Sequence, residues 1–294
     1  MRVLLLGKDG QLGRALDVAL RAEQIQERNA FEVTSLGRAE ADFAEPGAVR
    51  AAVEKYRPEL IVNAAAYTAV DRAESEPELA MRVNGESVGA LGEAGKRLGA
   101  RVVHYSTDYV FDGEKQGGYV EGDATHPLNV YGRSKLAGER ALLGSGAEAV
   151  ILRTSWVYAA WGRNFVRTML RVGAERDEVR VVDDQVGAPT AAEDLAAATL
   201  AVIGRWQADG WKQGGVYHAA AEGAVSWAGL AREIFRLAGK EVRVAPIASE
   251  DWVTAARRPL NSQLDCGKLA AEFGVRMGRW ERGLERVVGE MVKG

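Results

Sequence analysis

The chain has 294 residues, of which 47% are hydrophobic and 27% charged, with a formal net charge of −3. This is ordinary globular composition, enough for one large α/β domain or a core domain with a smaller lobe, and it lacks the basic footprint of a nucleic-acid binder. No signal stretch and no run of ~18 apolar residues is present, and the single cysteine, Cys266, precludes an intrachain disulfide. A cytoplasmic protein without a membrane span is expected.

Residues 2–6 form a short apolar run suited to a strand buried on both faces. Gly7, Gly10 and Gly13 follow at three-residue spacing, and residues 14–24 read as a helix, with Leu12, Leu16 and Leu20 as its apolar positions. Strand, glycine turn and helix together make a dinucleotide-binding unit. The turn lets backbone approach a pyrophosphate, and the helix N-terminus supplies unpaired N–H groups. A second strand is expected at 31–36 and a helix at 48–56. A third strand follows at 60–63, then a long helix at 78–99 and a fourth strand at 101–106.

The segment between Thr107 and Tyr131 carries Gly113, Gly117, Gly118, Gly122 and Pro127, so it should be an irregular surface loop. A helix at 131–143, a strand at 147–154, a strand at 180–182 and a helix at 192–206 complete the alternation of a parallel sheet. Such sheets bind ligands beyond the carboxyl ends of their strands. Gly7, Ala64, Thr107 and Ser155 all fall at such ends.

Tyr131 and Lys135, four residues apart, share one helix face. A free phenol titrates near ~10, and a neighbouring ammonium should lower that value toward the range useful for acid–base catalysis. Thr107 could offer a hydroxyl to the same substrate oxygen. All seven tryptophans lie after Thr154, and Trp156 follows a strand end facing the presumed crevice. Arg257 and Arg258 form a compact cationic pair suited to phosphates. His104, His126 and His218 stand far apart in the chain, and no His/Cys cluster suggests zinc.

The glycine spacing, the segment 106–112 and the Tyr131/Lys135 pair resemble the extended short-chain dehydrogenase/reductases. The segments 62–77, 127–132, 153–158, 184–190 and 256–259 narrow the resemblance to the dTDP-4-dehydrorhamnose reductases. The resemblance implies an α/β, Rossmann-type doubly wound parallel sheet with a smaller C-terminal substrate-binding lobe. Residues 1–154, with 180–206 returning, would bind the dinucleotide, and 155–294 would mainly bind substrate.

By the same resemblance Tyr131 is the proton donor, Lys135 binds the nicotinamide ribose and lowers the phenol's pKa, and Thr107 bonds the keto oxygen with Asp108 beside it. Gly10, Gln11 and Leu12 cradle the pyrophosphate, Asp42 and Phe43 flank the adenine, and Ala66, Tyr67 and Thr68 line the dinucleotide path. Trp156 packs on the deoxysugar. The implied reaction is reduction of the C4 ketone of dTDP-4-dehydro-L-rhamnose. The alternatives are an epimerase or dehydratase of the same fold, or a non-catalytic regulatory homologue.

The second strand ends in Leu36, Gly37 and Arg38, which offers a cation and no carboxylate, so NADPH is favoured with NADH as an alternative. Some members have a Mg²⁺-bridged dimer that uses a glutamate where this chain has Ala15. Glu193 and Asp194 are the other acidic residues considered, no metal is assigned, and a homodimer stays open. The expected partner is a nucleotide sugar, with neither nucleic acid nor membrane.

Overall fold

The computed structural model describes residues 1–25 and 31–293. Residues 26–30 and 294, which the expected domain ranges span, lie outside the described residues. The first half runs β1 (Arg2–Leu6), α1 (Gln11–Ile25), β2 (Glu32–Leu36), α2 (Pro46–Tyr56), β3 (Leu60–Asn63), α3 (Val70–Ala73), α4 (Pro77–Met81), α5 (Ser87–Leu98) and β4 (Arg101–Thr107). Next come α6 (Val130–Gly144), β5 (Ala149–Thr154), β6 (Val157–Tyr158), α7 (Phe165–Val172), β7 (Glu178–Val182), β8 (Val186–Gly187), β9 (Thr190–Ala191) and α8 (Ala192–Ala208). The chain closes with β10 (Gly215–His218), β11 (Val225–Ser226), α9 (Trp227–Leu237), β12 (Arg243–Ile247), α10 (Gly267–Phe273) and α11 (Trp280–Lys293).

The main sheet has the order β10-β5-β4-β3-β1-β2, every neighbouring pair parallel. Alternation along each strand sends side chains to opposite layers. Val3, Leu5, Val62 and Val103 pack under α1, α8 and α10, whereas Leu4, Leu6, Ile61 and Val102 pack under α2, α5 and α6. Strands covered on both faces must be apolar throughout, which is why 2–6 reads as an unbroken hydrophobic run. Between β1 and β3 the connections leave in opposite directions, creating a crevice at the carboxyl ends of the strands.

A smaller lobe gathers around β7 and β12, which pair with each other and not with the main sheet. Its core is built from α7, α9, α11 and β7, with Met169, Val181, Ile234 and Val287 among its buried residues. The return to the sheet expected at 180–206 is therefore distributed differently. Residues 180–182 belong to β7 in the small lobe, whereas α8, β10 and α10 join the main sheet layers.

The expected long helix at 78–99 is interrupted by a π-helical turn, Arg82–Glu86. The cause is Asn84, which is fully buried. Its amide exchanges hydrogen bonds with the backbone of Tyr67 and donates to the Ser134 hydroxyl at 2.9 Å. The inserted residue turns a polar side chain toward two neighbouring elements, a common use of π-bulges. Among the described residues, no helix is long and apolar enough to cross a membrane.

Glu139 of α6 receives both the Nε and an Nη of Arg153 on β5, at 2.8 and 2.6 Å, with neither side chain more than 5% exposed. Breaking such a pair leaves one uncompensated buried charge. Arg153→Met alone should cost about 3–5 kcal/mol in urea unfolding. The double variant Glu139→Leu/Arg153→Met should recover most of that loss.

Candidate active site

The glycine turn is shaped by close backbone approach. Gly7 has φ of +83°, and a Cβ there would stand 2.5 Å from the Ala65 nitrogen. A Cβ on Gly13 would stand 1.9 Å from the Gly7 carbonyl oxygen. Gly10 differs, since its Cβ would meet nothing nearer than that oxygen at 3.5 Å. Two glycines are thus required by the chain itself, while the third leaves open space at the start of α1. That space, beside free helix N–H groups, fits a pyrophosphate. Gln11 continues the turn, and its side chain and carbonyl accept from Asn164 and Trp161 of the C-terminal half, at 2.7 and 3.2 Å. Leu12 packs against the core.

At the end of β2 the Arg38 side chain is 76% exposed and 3.8 Å from Asp42. Lys8 is paired with Glu40 at 2.8 Å in the same corner. Phe43 is buried in the core and its carbonyl accepts from the Ser87 hydroxyl. Ala66, Tyr67 and Thr68 follow β3. Tyr67 donates its hydroxyl to Glu76 at 2.7 Å.

Thr107 ends β4, where extended backbone passes into a short 3₁₀ turn, Asp108–Val110. Its hydroxyl donates to Asp108 Oδ1 at 2.8 Å and accepts from the Tyr109 N–H at 3.2 Å. The same hydroxyl also bears on the Tyr131 phenol, drawing its pKa down. Tyr131 stands in the first turn of α6, whose N-cap Asn129 accepts from the Gly132 N–H at 2.8 Å. Burial pushes the phenol up to about 12, with Thr107 pulling it down and the Asp108 carboxyl pushing it up. Burial likewise lifts Asp108 to about 6, opposed by hydrogen bonds from Ser262 and Thr107. The second carboxyl oxygen of Asp108, Oδ2, is buried without a close partner.

Lys135 lies one turn further along α6 and is buried. Its Nζ donates to the Tyr105 carbonyl at 2.6 Å and stands 3.5 Å from His104 Nε2. Burial lowers its pKa to about 8, with Glu139 opposing. The expected lowering of the tyrosine by this ammonium is not found. The lysine is held by the sheet, and desolvation dominates the phenol. His104 in turn faces Asn63, and burial together with Lys135 keeps it neutral.

The two arginines diverge. Arg258 makes a bidentate pair with Asp71 at 3.0 and 2.7 Å, while Arg257 is exposed on the cleft wall and its carbonyl accepts from Asn129. A cleft of about 1530 Å³ opens beside them, lined also by Leu128, Gln185, Trp227 and Trp252. Neither Tyr131 nor Thr107 is among the residues that line it.

Trp156 has φ of 48° and stacks on Trp227 with centroids 3.5 Å apart. A Cβ on Gly187 would reach within 2.6 Å of its ring, so Trp227 carries the aromatic surface to the cleft with Trp156 behind it. Asp71, Asn129, Trp227 and Ser262 were not read from the sequence. Of these, Asn129 alone had a local signal, as a capping residue before an apolar helix. Asp194 is paired with Arg286 at 2.8 Å, and Glu193 is half-buried beside them. Among the described residues, no group of three or more His, Cys, Asp or Glu side chains is arranged to hold a metal.

The profile of the family described as "RmlD substrate binding domain" matches residues 1–293. The chain belongs to this family. It is similar to the dTDP-4-dehydrorhamnose reductase of Escherichia coli strain K12, 44% identical over 297 residues, covering 99% of this chain and 98% of that protein. The reductase of the same name from Sinorhizobium fredii is 43% identical over 293 residues, covering 98% and 97%. Among solved structures, dTDP-4-dehydrorhamnose reductase from Bacillus anthracis in complex with NADP superposes with a TM-score of 0.90 at 36% identity. That match covers 98% of this chain and 99% of the other. The neighbouring reductase thus shares the overall fold described above, a six-stranded parallel sheet with a smaller lobe beside it.

Two variants separate the roles of the glycines. Gly13→Ala should fail to fold or lose most of its stability, read by thermal unfolding. Gly10→Ala should fold normally and lose affinity for the dinucleotide, read by titration calorimetry. Asp108 adds a pH signature. Its folded pKa of about 6 exceeds the ordinary value of 3.8, so folding favours the neutral acid, and stability falls as pH rises through 6. At about 1.4 kcal/mol per unit, the loss approaches roughly 3 kcal/mol. Asp108→Asn should therefore gain thermal stability relative to the parent between pH 4 and 7.

Proposed function

We propose that this chain reduces the C4 ketone of dTDP-4-dehydro-L-rhamnose to dTDP-L-rhamnose, using NADPH, with NADH as an alternative. The observation that carries this reading is the placing of Tyr131 within reach of Thr107, with Lys135 one helical turn away and a glycine turn open at Gly10 in the same sheet. Membership of a family whose similar members bear the reductase name supports it.

Gly7, Gly10, Gly13, Gln11 and Leu12 would hold the pyrophosphate at the start of α1. Arg38 would meet a 2′-phosphate, Asp42 and Phe43 would flank the adenine, and Ala66, Tyr67 and Thr68 would line the path to the nicotinamide. Lys135 would exchange the Tyr105 carbonyl for ribose hydroxyls. When bound, NADPH supplies a hydride to the sugar C4. Tyr131 delivers the proton to the developing alkoxide. Burial keeps the phenol protonated at neutral pH, so it holds the proton it would deliver.

Thr107 would orient the ketone oxygen, with Asp108 beside it on the substrate side. Arg257 would meet the diphosphate, while Arg258 fixes its segment to Asp71. Trp227, backed by Trp156, would face the deoxysugar. Residues 1–154 supply most of the dinucleotide site and 155–294 most of the sugar-nucleotide site.

Loss of NADPH absorbance with freshly made dTDP-4-dehydro-L-rhamnose, with product identified by chromatography, tests the reaction. Tyr131→Phe should lower kcat by roughly 10²–10⁴-fold and leave NADPH binding nearly unchanged. A variant retaining most of its turnover would remove Tyr131 from the role of acid.

A further inference from the structure

The sequence ends β2 in Leu36, Gly37 and Arg38 without a carboxylate, yet the fold brings one back. The Leu36 carbonyl accepts the N–H groups of Gly7 and Lys8 at 2.9 and 3.2 Å, which stitches the glycine turn to the end of β2. The Gly37 carbonyl accepts the N–H groups of Glu40 and Ala41 at 3.2 and 3.0 Å, and this tight turn folds Glu40 back over Gly37. One carboxylate oxygen of Glu40 then accepts the Gly37 N–H at 2.8 Å, and the other accepts the Lys8 ammonium at 2.8 Å. Asp9 stands beside them, since a Cβ on Gly37 would lie 2.0 Å from its Oδ2 and 3.2 Å from Glu40 Oε2.

A backbone N–H and an ammonium converging on one anionic group are what a phosphate also seeks. Here an internal carboxylate holds that place. The corner lies at the carboxyl end of β2, where sheets of this kind meet the adenosine ribose of a dinucleotide.

The two forms of that ribose meet the corner in opposite ways. A 2′-hydroxyl is a donor, and an ionised carboxylate has about four acceptor positions, of which the bonds above use two. Such a hydroxyl can join Glu40 without disturbing Lys8. A 2′-phosphate brings acceptors and negative charge, so Glu40 and Asp9 repel it until Lys8 turns from the carboxylate to the phosphate.

We propose that Glu40 is a specificity-determining residue that holds the 2′-phosphate's place at the end of β2, so that NADPH binds by taking Lys8 from Glu40 while NADH binds with the Lys8–Glu40 pair intact. Its bearing on turnover rests on the reductase reading, but the exchange of ion-pair partners concerns the dinucleotide alone. No covalent bond changes; one cation trades one anionic partner for another. The pair suits such an exchange. Its side chains are 33% and 45% exposed, so it opens without unfolding the core, and the flexible lysine stem lets the ammonium swing. Arg38, exposed beside Asp42, can approach the same phosphate from solvent.

The full chain is titrated by calorimetry with NADPH and with NADH, no sugar being present. Glu40→Gln keeps an oxygen for the Gly37 N–H and removes the charge. It should tighten NADPH roughly fivefold and weaken NADH by a similar factor. The ratio of the two dissociation constants then moves more than about tenfold toward NADPH. Lys8→Met should weaken NADPH selectively. In Lys8→Met/Glu40→Gln most of the gain for NADPH should vanish, because no lysine remains to be released.

An NADPH gain of equal size with and without Lys8 overturns the exchange, as does a Glu40→Gln chain whose ratio matches the parent's. A chain that shows the expected shifts yet leaves the 4-dehydro sugar unreduced supports the exchange and overturns the reductase reading. A chain that binds neither dinucleotide overturns both.

Discussion

Glu139 grips Arg153 through two short contacts between buried side chains, and the placement of α6 follows from that grip. Tyr131, Lys135 and Glu139 recur every four residues along α6, so they form one column on its buried side. Arg153 belongs to β5 and sits opposite Ser106 of β4 in the sheet register. Fixing Glu139 to Arg153 therefore fixes the height of Tyr131 over Thr107, the next residue of β4. A buried ion pair adds little net stability compared with apolar packing. Its advantage here is directional, because a bidentate pair tolerates less sliding along the helix axis than a greasy contact does.

The remainder of the site divides into what the chain demands and what it leaves vacant for a ligand. Gly7 and Gly13 are demanded, since each lies against backbone. Gly10 is not, and the open space beside it is legible only as room for something bound. The same contrast separates the arginines. Arg258 is spent on Asp71, whereas Arg257 is exposed on the cleft wall and Arg38, 76% exposed, reaches Asp42 at 3.8 Å. A cation already neutralised within the fold holds a segment in place; an unspent one is available to an anion.

Much of this was legible in the sequence because it is local. The strand at 2–6, the glycine turn and the pairing of Tyr131 with Lys135 are each written within a dozen residues. The π-turn at Arg82–Glu86 was not, because its cause is a contact between Asn84 and residues 17 and 50 positions away. Ser262 and Asp71 were hidden for the same reason, each acting on a partner far away in the chain. Spacing places Lys135 and Tyr131 on one face without saying what else each group meets, and the Tyr105 carbonyl 2.6 Å from the ammonium is such a partner.

Asn129 ends on a different kind of economy. One oxygen of its amide caps the helix that carries Tyr131, and the nitrogen of the same amide holds the carbonyl of Arg257 in the cleft wall. The amide is rigid and only 1% exposed, so neither bond can be traded for water without disturbing the other. A cleft wall that swings outward must strand that N–H₂ group or rotate it, and rotation frees the first turn of α6. The cleft wall and the first turn of α6 are thereby tied through one side chain, so a disturbance of either is felt by the other.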